Sequence, residues 1–242
     1  MEFNQKRKEM RFTLVKKIDE SRGTKSFFFK PEKPVSYLPG QYYYFTLPKL
    51  DFPDPRGNTR HFTISTSPTE KGLFRFTTRI REESGFKKTL DNLPMGIIID
   101  GEGPTGTYIL DEAEKDNVHI FIAGGIGITP FRSFIKYNID KNLKIPTYLI
   151  YSNSDSDFVF GKELRSWQKE NNFFKVEFFD SSKFGHLNYL KINELIGNWS
   201  LVIGNLIWWV VGPPAFVDAM EDNLSKLKIS SSQILTEKFT GY

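Results

Sequence analysis

The chain has 242 residues, 39% of them hydrophobic, which is enough for a substantial core and for two domains of ordinary size. It contains no cysteine, and this excludes disulfides, cysteine-ligated iron-sulfur clusters and a thiol nucleophile within this chain. The three histidines, His61, His119 and His186, lie far apart in the sequence, so we expect no metal site.

The formal net charge of +4 favours acidic partners, although a small lysine excess is also typical of an ordinary solvated surface. No segment is long enough to span a bilayer, and the charged start of the chain lacks the apolar region of a signal peptide. We therefore expect a cytoplasmic protein that has no transmembrane segment and does not bind nucleic acid. The sequence does not indicate an oligomeric state.

Short strands separated by Pro and Gly dominate the first part of the chain. Six strands are predicted, at residues 11–18, 24–30, 41–47, 60–66, 73–80 and 97–101, with one helix at residues 85–93. This spacing is typical of a six-stranded antiparallel β-barrel.

Strands and helices alternate after a charged connector at residues 111–117. Strands are predicted at residues 118–123, 147–152, 175–180, 207–212 and 234–239, and helices at residues 130–141, 161–171 and 214–226. Alternation of this kind predicts a Rossmann-like α/β domain with a parallel sheet, so we expect two domains, residues 1–112 and 113–242.

A hydrophobic strand runs directly into a glycine-rich turn and a helix start at residues 121–131. The residues of this turn are Gly124, Gly125, Gly127, Thr129 and Pro130. The glycines allow a tight turn and a close approach by a ligand, while Thr129 is expected to cap a helix that Pro130 opens. Free amides at a helix start bind anions, so the segment predicts a pyrophosphate site. A glycine-rich turn without a ligand has the same pattern, and this alternative stays open.

Two further motifs flank this turn in the chain. Residues 60–66, Arg-His-Phe-Thr-Ile-Ser-Thr, resemble the Arg-x-aromatic-Ser/Thr flavin signature of the ferredoxin-NADP reductase family. Gly212, Pro213 and Pro214 resemble that family's nicotinamide loop, and residues 237–242 resemble its Glu-x-aromatic ending. In order and spacing these motifs match the family across nearly the whole chain, as a single-chain reductase without an iron-sulfur domain.

The resemblance implies that residues 60–63 bind FAD. Arg60 offers a planar charged fork to the flavin pyrophosphate, and His61 lies within the same motif. Phe62 would lie against the isoalloxazine ring, and the Thr63 hydroxyl would approach flavin N5, which receives the hydride. The alternative is that Phe62 and Ile64 point into the barrel core while Arg60 lies on the surface.

Residues 84–90 resemble a family segment whose helix start faces the flavin diphosphate. Phe86, Lys87 and Lys88 are the binding residues implied there, because helix amides and lysines suit an anion. Alternatively, the two lysines form the exposed face of a short helix.

The second nucleotide is implied to lie on the glycine-rich turn, with Gly125, Gly127 and Thr129 at its pyrophosphate. Pro213 and Pro214 would shape the loop under the nicotinamide. Val211 stands where many family members have a cysteine. We expect this difference to alter the positioning of the nicotinamide rather than to abolish hydride transfer, since the protein mainly supplies orientation.

Coenzyme choice is expected to depend on residues 152–157, Ser-Asn-Ser-Asp-Ser-Asp. Hydroxyls and aspartates suit a free ribose 2′-hydroxyl, so the segment favours NADH over NADPH. In the alternative, Lys162 or Arg165 reaches a 2′-phosphate.

The end of the chain offers an aromatic cover for the flavin and a carboxylate. Either Phe239 or Tyr242 would cover the flavin face on which the nicotinamide stacks. Glu237 is a candidate to relay a proton near the flavin, or else it is a surface carboxylate.

Together the resemblance implies an FAD-dependent oxidoreductase that passes hydride from NADH or NADPH to FAD and then electrons to an acceptor. Acidic ferredoxins, flavodoxins and oxygenase components are the acceptors considered. The alternatives are a redox sensor without turnover, favoured by Val211 and Phe62, and an electron-transfer subunit active only within a complex.

Overall fold

The structure is a computed structural model that describes residues 8–112, 117–201 and 206–240. The chain divides into two compact units. The first unit comprises Met1–Leu110 and Arg132–Tyr137, and the second comprises Asp111–Phe131 and Asn138–Tyr242. A domain boundary after residue 112 stays a prediction.

An antiparallel sheet of six strands forms the first unit, as predicted. Its elements are β1 (Lys8–Ser21), β2 (Thr24–Pro31), β3 (Tyr42–Thr46), β4 (Thr59–Thr63), β5 (Phe74–Arg79), α1 (Gly85–Asn92) and β6 (Ile98–Thr105). The strand order is β4-β3-β6-β1-β2-β5, and a single bridge between Ile64 and Phe76 links the two edges of the sheet. This arrangement is a half-barrel of antiparallel strands.

Aromatic rings fill the core of the first unit. Phe45 lies 4.8 Å from Phe76, measured between ring centroids, and Phe76 lies 5.2 Å from Phe29. Each fully buried ring of this kind contributes about 1.5–3 kcal/mol relative to an exposed one. In β3 the buried rings of Tyr43 and Phe45 alternate with the partly exposed Tyr42, Tyr44 and Thr46, as expected of a strand with one face in the core.

Strand β6 continues past residue 101, where the glycine-rich sequence predicts its end. A Cβ atom on Gly101 would lie 2.4 Å from the Phe12 ring, and one on Gly103 would lie 2.8 Å from the Tyr43 ring. The two glycines therefore lie inside the strand because core rings occupy the space of a side chain.

The second unit is a parallel sheet with helices, which confirms the predicted Rossmann-like class. Its elements are β7 (Val118–Gly124), α2 (Ile128–Asp140), β8 (Thr147–Asn153), α3 (Gly161–Glu170), β9 (Phe174–Asp180), α4 (Ser181–Phe184), α5 (Tyr189–Asn198), β10 (Leu206–Gly212), α6 (Pro214–Lys226) and β11 (Ile234–Lys238). The strand order is β11-β10-β7-β8-β9, and all neighbouring pairs are parallel. Helices α4 and α5 are absent from the sequence-based prediction.

The parallel register brings the carboxyl ends of three strands to one edge of the sheet. Ala123 of β7 pairs with Val211 of β10, and Gly124 pairs with Ser152 of β8. Ligands of parallel α/β sheets bind outside this edge. The glycine turn (residues 124–127) therefore lies where a ligand is expected.

None of the helices in the described residues combines the length and the apolar character needed to cross a membrane.

Candidate functional site

Strand β4 directs Arg60 and Phe62 inward and His61 outward. Arg60 pairs with Phe45 of β3, and the Arg60 side chain is only 9% exposed. The predicted alternative that Arg60 lies on the surface is therefore wrong. His61 is exposed and lies beside the ring of Tyr44, with ring centroids 5.6 Å apart.

Hydrogen bonds within the preceding loop fix the Arg60 guanidinium. Nη1 donates to the carbonyl oxygens of Arg56, Gly57 and Thr59, at 2.9, 3.0 and 2.7 Å. Nη2 donates to the Asp54 carboxylate at 2.6 Å. A charge-assisted pair of this length, almost closed to water, holds the arginine in one orientation.

Phe62 and Ile64 are core residues, as the alternative interpretation predicts. The Phe62 ring stacks on Phe76, with centroids 4.5 Å apart and an interplanar angle of 9°. Thr63 is also buried. Contacts of Phe62 and Thr63 with a flavin stay predictions.

Helix α1 begins beside Arg60. Ser84 caps the helix, since its side chain accepts a hydrogen bond from the Lys87 amide, and the Phe86 amide donates to Asp54 Oδ2 at 3.0 Å. The Arg60 guanidinium lies 5.2 Å from the centre of the Phe86 ring. The helix start and the arginine thus converge on one carboxylate.

Lys87 is buried, whereas the alternative interpretation places it on an exposed helix face, and that interpretation is wrong for this residue. Burial, followed by the positive charges of Arg81, Arg56 and Arg60, lowers the pKa of Lys87 to about 8. This positive potential favours an anion at the start of α1.

Lys88 is partly exposed and has its own partners. Its Nζ lies 4.5 Å from the centre of the Phe52 ring and 3.4 Å from a Glu82 carboxylate oxygen. The surface interpretation is compatible with this position.

The glycine turn of the second unit forms a 3₁₀ turn at Gly125–Gly127, with φ of +55° at Gly125. A Cβ atom on Gly127 would lie 2.3 Å from the Val211 carbonyl oxygen. Only glycine fits there, because the turn passes directly against the end of β10.

Contrary to the prediction, Thr129 is not the N-cap of the helix. Helix α2 begins at Ile128, so Thr129 and Pro130 lie within its first turn, and Thr129 Oγ1 donates to the Ile126 carbonyl at 3.2 Å. Proline is tolerated there because amides of the first turn lack intrahelical partners. The turn ends two residues earlier than the sequence predicts.

One ring replaces the missing side chains of two glycines. A Cβ atom on Gly124 would lie 2.6 Å from the Phe216 ring, and a Cβ atom on Gly212 would lie 2.7 Å from it. Phe216 of α6 therefore packs against both strand ends that form the predicted nucleotide site. Helix α6 starts after Pro213 with Pro214 in its first turn, as predicted.

Strand β11 brings the end of the chain beside Gly212. The Phe239 amide donates to the Gly212 carbonyl at 2.9 Å, and Glu237 pairs with Val211. Within the described residues, the Glu237 Oε2 atom is buried without a hydrogen-bond partner. Burial raises the pKa of Glu237 to about 7, so it is not an ordinary surface carboxylate. Tyr242 lies outside the described residues.

The loop after β8 is held together by hydrogen bonds to the Asp155 side chain. Asn153 Nδ2 donates to Asp155 Oδ1 at 2.8 Å, and the Asp157 amide donates to the same oxygen at 2.9 Å. Of the alternative cations, Lys162 is exposed, and the Arg165 guanidinium lies 3.8 Å from the centre of the Phe178 ring.

Comparison with known protein families agrees with this geometry. Residues 11–109 match the oxidoreductase FAD-binding domain, and residues 121–222 match the oxidoreductase NAD-binding domain. Flavohemoprotein A of Dictyostelium discoideum is 27% identical over 94% of this chain and 59% of its own length. The glycine betaine monooxygenase reductase subunit of Chromohalobacter salexigens is 29% identical over 62% of this chain and 40% of its own length.

Solved structures share the fold. The flavohem-like FAD/NAD binding domain of nitric oxide dioxygenase from Vibrio cholerae O1 biovar El Tor has a TM-score of 0.80 and 19% identity, over 95% of this chain and 98% of that one. Ferredoxin-NADP+ reductase from Plasmodium falciparum has a TM-score of 0.76 and 21% identity, over 96% of both chains.

An FAD-binding domain followed by an NAD-binding domain defines an oxidoreductase that uses both cofactors. The chain belongs to the ferredoxin-NADP reductase-like family of NAD(P)H-dependent flavoprotein reductases. It spans 58–59% of the length of three flavohemoproteins that it matches.

The donor sets fit the two cofactors. In the first unit, Arg60, Lys87 and the Phe86 amide are donors of the kind that a diphosphate requires, and the Asp54 carboxylate accepts hydrogen bonds from two of them. In the second unit, the glycine turn lies outside the carboxyl ends of the parallel strands, where nucleotides bind in sheets of this class.

Proposed function

We propose that the chain catalyses hydride transfer from NADH to FAD and passes the electrons on to an acceptor. The proposal rests above all on the cationic cluster at the start of α1, where burial and three arginines lower the pKa of Lys87. An anionic cofactor at that point removes an unfavourable concentration of positive charge.

The chain's own residues bind and orient the reactants. Arg60 and the α1 amides hold the flavin diphosphate, and the glycine turn with Gly212–Pro214 holds the nicotinamide nucleotide. FAD, when bound, accepts the hydride and supplies the redox chemistry. The contribution of the protein is to fix the donor carbon and the acceptor nitrogen in a reactive arrangement.

Glu237 is suited to hold or release a proton near the nicotinamide loop. It pairs with Val211, whose strand leads into that loop, and its pKa of about 7 permits both protonation states near neutral pH. Phe239, bonded to Gly212 through its amide, is the aromatic residue that we assign to cover the flavin.

Coenzyme preference is proposed to be for NADH. Asp155 is fixed at the end of β8 by two hydrogen bonds, and its carboxylate repels a 2′-phosphate. Arg165 is engaged with the Phe178 ring, which competes with any contact to such a phosphate.

The proposed acceptor is an acidic ferredoxin, a flavodoxin or an oxygenase component. The net charge of +4 favours acidic partners. Similarity to a monooxygenase reductase subunit supports the oxygenase component in particular, and it also supports the alternative that the chain acts as one subunit of a complex.

The test is anaerobic titration of the FAD-loaded protein with NADH and with NADPH, followed by visible absorbance. We expect NADH to bleach the flavin band at lower concentration than NADPH. Tighter titration by NADPH would overturn the coenzyme assignment, and bound flavin that neither nucleotide reduces would overturn the proposed reaction. Reduction of candidate acceptor proteins by the NADH-reduced protein then identifies the acceptor class.

A further inference from the structure

The loop segment formed by residues 51–57 covers the start of α1. The amides of Asp51 and Phe52 donate to Thr89 Oγ1, at 3.0 and 3.4 Å. A Cβ atom on Gly85 would lie 2.2 Å from the Pro53 carbonyl oxygen, so the segment and the helix are in direct backbone contact.

Asp54 of this segment carries the carboxylate on which the helix start and the arginine converge. Its Oδ1 accepts from Arg60 Nη2 at 2.6 Å and from the Arg56 amide at 3.0 Å. Its Oδ2 accepts from the Phe86 amide at 3.0 Å and from Ser84 Oγ at 3.2 Å. The Asp54 side chain is only 4% exposed.

These four donors are of the kind that bind a phosphate group: a guanidinium, backbone amides and a hydroxyl. Burial opposes ionisation of Asp54, but hydrogen bonds from the Phe86 and Arg56 amides and the charge of Arg60 lower the pKa of Asp54 below its usual value. The carboxylate is therefore ionised at neutral pH and neutralises part of the surrounding positive charge.

We propose that Asp54 is an internal anion that occupies the flavin diphosphate position, so that FAD binds only when the 51–57 segment releases Arg60 and the Phe86 amide. This inference rests on the proposed function, because it takes Arg60 and the start of α1 as the diphosphate site. Asp54 then determines the affinity for FAD without contacting it.

With competition of this kind, the apparent dissociation constant for FAD equals the intrinsic constant divided by the fraction of molecules in which the segment is released. If that fraction is about one tenth, removing the competing charge tightens FAD binding about tenfold. Riboflavin has no phosphate, so its affinity does not change.

The experiment compares FAD and riboflavin dissociation constants, by flavin fluorescence, for the wild-type chain, Asp54→Asn and Asp51→Asn. Asp51 is an exposed carboxylate of the same segment, so its substitution makes the same change in net charge outside the diphosphate position. We expect Asp54→Asn to bind FAD about tenfold more tightly than both other proteins, with equal riboflavin affinity in all three.

Unchanged or weaker FAD binding by Asp54→Asn would overturn the inference, as would an equal gain in riboflavin affinity. Wild-type protein that binds FAD but is not reduced by NADH or NADPH would contradict the proposed reaction and leave the test of Asp54 intact. Failure of all three proteins to bind FAD would overturn both proposals.

Hydrogen exchange of the wild-type protein tests the release directly and does not depend on how a variant folds. The amides of Asp51, Phe52, Arg56 and Gly57 are hydrogen-bonded in the structure. We expect FAD to accelerate their exchange while it slows exchange in α1. Slower exchange across residues 51–57 on FAD binding would contradict release of the segment.

Discussion

Glu237 is a carboxylic acid that strand β11 holds with one oxygen buried. Its pKa of about 7 implies that the stability of the folded protein depends on pH. Because the folded state raises the pKa, the stabilising contribution of Glu237 is complete below its usual pKa near 4.5 and is lost as the pH rises through about 7. The loss is at most about 3 kcal/mol. We expect Glu237→Gln to match the wild type near pH 5 and to unfold about 5 °C or more higher at pH 8.5.

The matched control is Glu177→Gln, which removes an exposed carboxylate from β9 of the same sheet. Its difference in melting temperature from the wild type is expected to stay constant between pH 5 and pH 8.5. A constant difference for Glu237→Gln as well would contradict a raised pKa of this carboxyl group in the folded state.

Gly127 makes the sharpest steric prediction. Alanine at this position brings a Cβ atom against the Val211 carbonyl, which is backbone and cannot move as a side chain can. We expect Gly127→Ala to lower the free energy of unfolding by about 1–3 kcal/mol and to weaken NADH binding. Urea denaturation and NADH titration measure the two effects.

Gly197→Ala is the control for this substitution. Gly197 lies in α5 with open space around its Cβ position, so alanine is expected to be neutral or to stabilise by up to about 1 kcal/mol. Equal effects of the two substitutions would contradict the close approach of the glycine turn to β10.

Strand alternation correctly places Phe62 and Ile64 in the core, whereas the surface position considered for Arg60 is wrong because Arg60 is buried as well. The sequence does not identify Asp54 as the partner of Arg60. Asp54 lies in a loop six positions earlier, and the direction of a loop side chain cannot be predicted from a local pattern. The Asp54 contact depends on the path of the 51–57 segment across α1, which is a tertiary feature.

Among the elements, the docking of the 51–57 segment on α1 depends on the Thr89 hydroxyl. This hydroxyl accepts from the Asp51 and Phe52 amides and donates to the Gly85 carbonyl. We expect Thr89→Val to destabilise the protein by about 1–3 kcal/mol, since the Asp51 and Phe52 amides and the buried Gly85 carbonyl each lose a hydrogen bond. Thermal unfolding measures the change.

Thr78→Val is the matched control, because Thr78 is buried in β5 and its hydroxyl has no hydrogen-bond partner among the described residues. Replacing that hydroxyl with a methyl group is expected to be neutral or stabilising. Destabilisation by Thr78→Val equal to that of Thr89→Val would mean that the hydrogen bonds of Thr89 contribute nothing.

Strand periodicity and the change to alternating strands and helices predict both sheets, because strand patterns and turn residues are local signals. The sequence-based prediction lacks α5, although Asn188 caps this helix and Ile192, Leu195 and Ile196 form a buried helical stripe. That signal is present in the sequence. The predicted start of α2 at residue 130 is two residues late, because a 3₁₀ turn allows the helix to begin directly after the glycines.

The chain has 33 basic and 29 acidic residues and therefore a net charge of +4. If the acceptor is an acidic protein, raising the salt concentration from 0.01 to about 0.15 M shortens the screening length and slows electron delivery to it. Reduction of an uncharged quinone by the same protein serves as the control, and its rate is expected to change little. Salt-independent reduction of the acidic acceptor would contradict attraction by net charge.

Phe216 packs against Gly124 and Gly212 at once, so these three positions cannot drift independently in evolution. A mutation to alanine at either glycine is tolerated only in a background where residue 216 has already become smaller. A smaller residue at 216, in turn, leaves a void over both strand ends until one glycine gains a side chain. Among related sequences, residue size at position 216 is therefore expected to vary inversely with residue size at positions 124 and 212. The order of substitutions is also constrained, because position 216 has to change before either glycine is replaced.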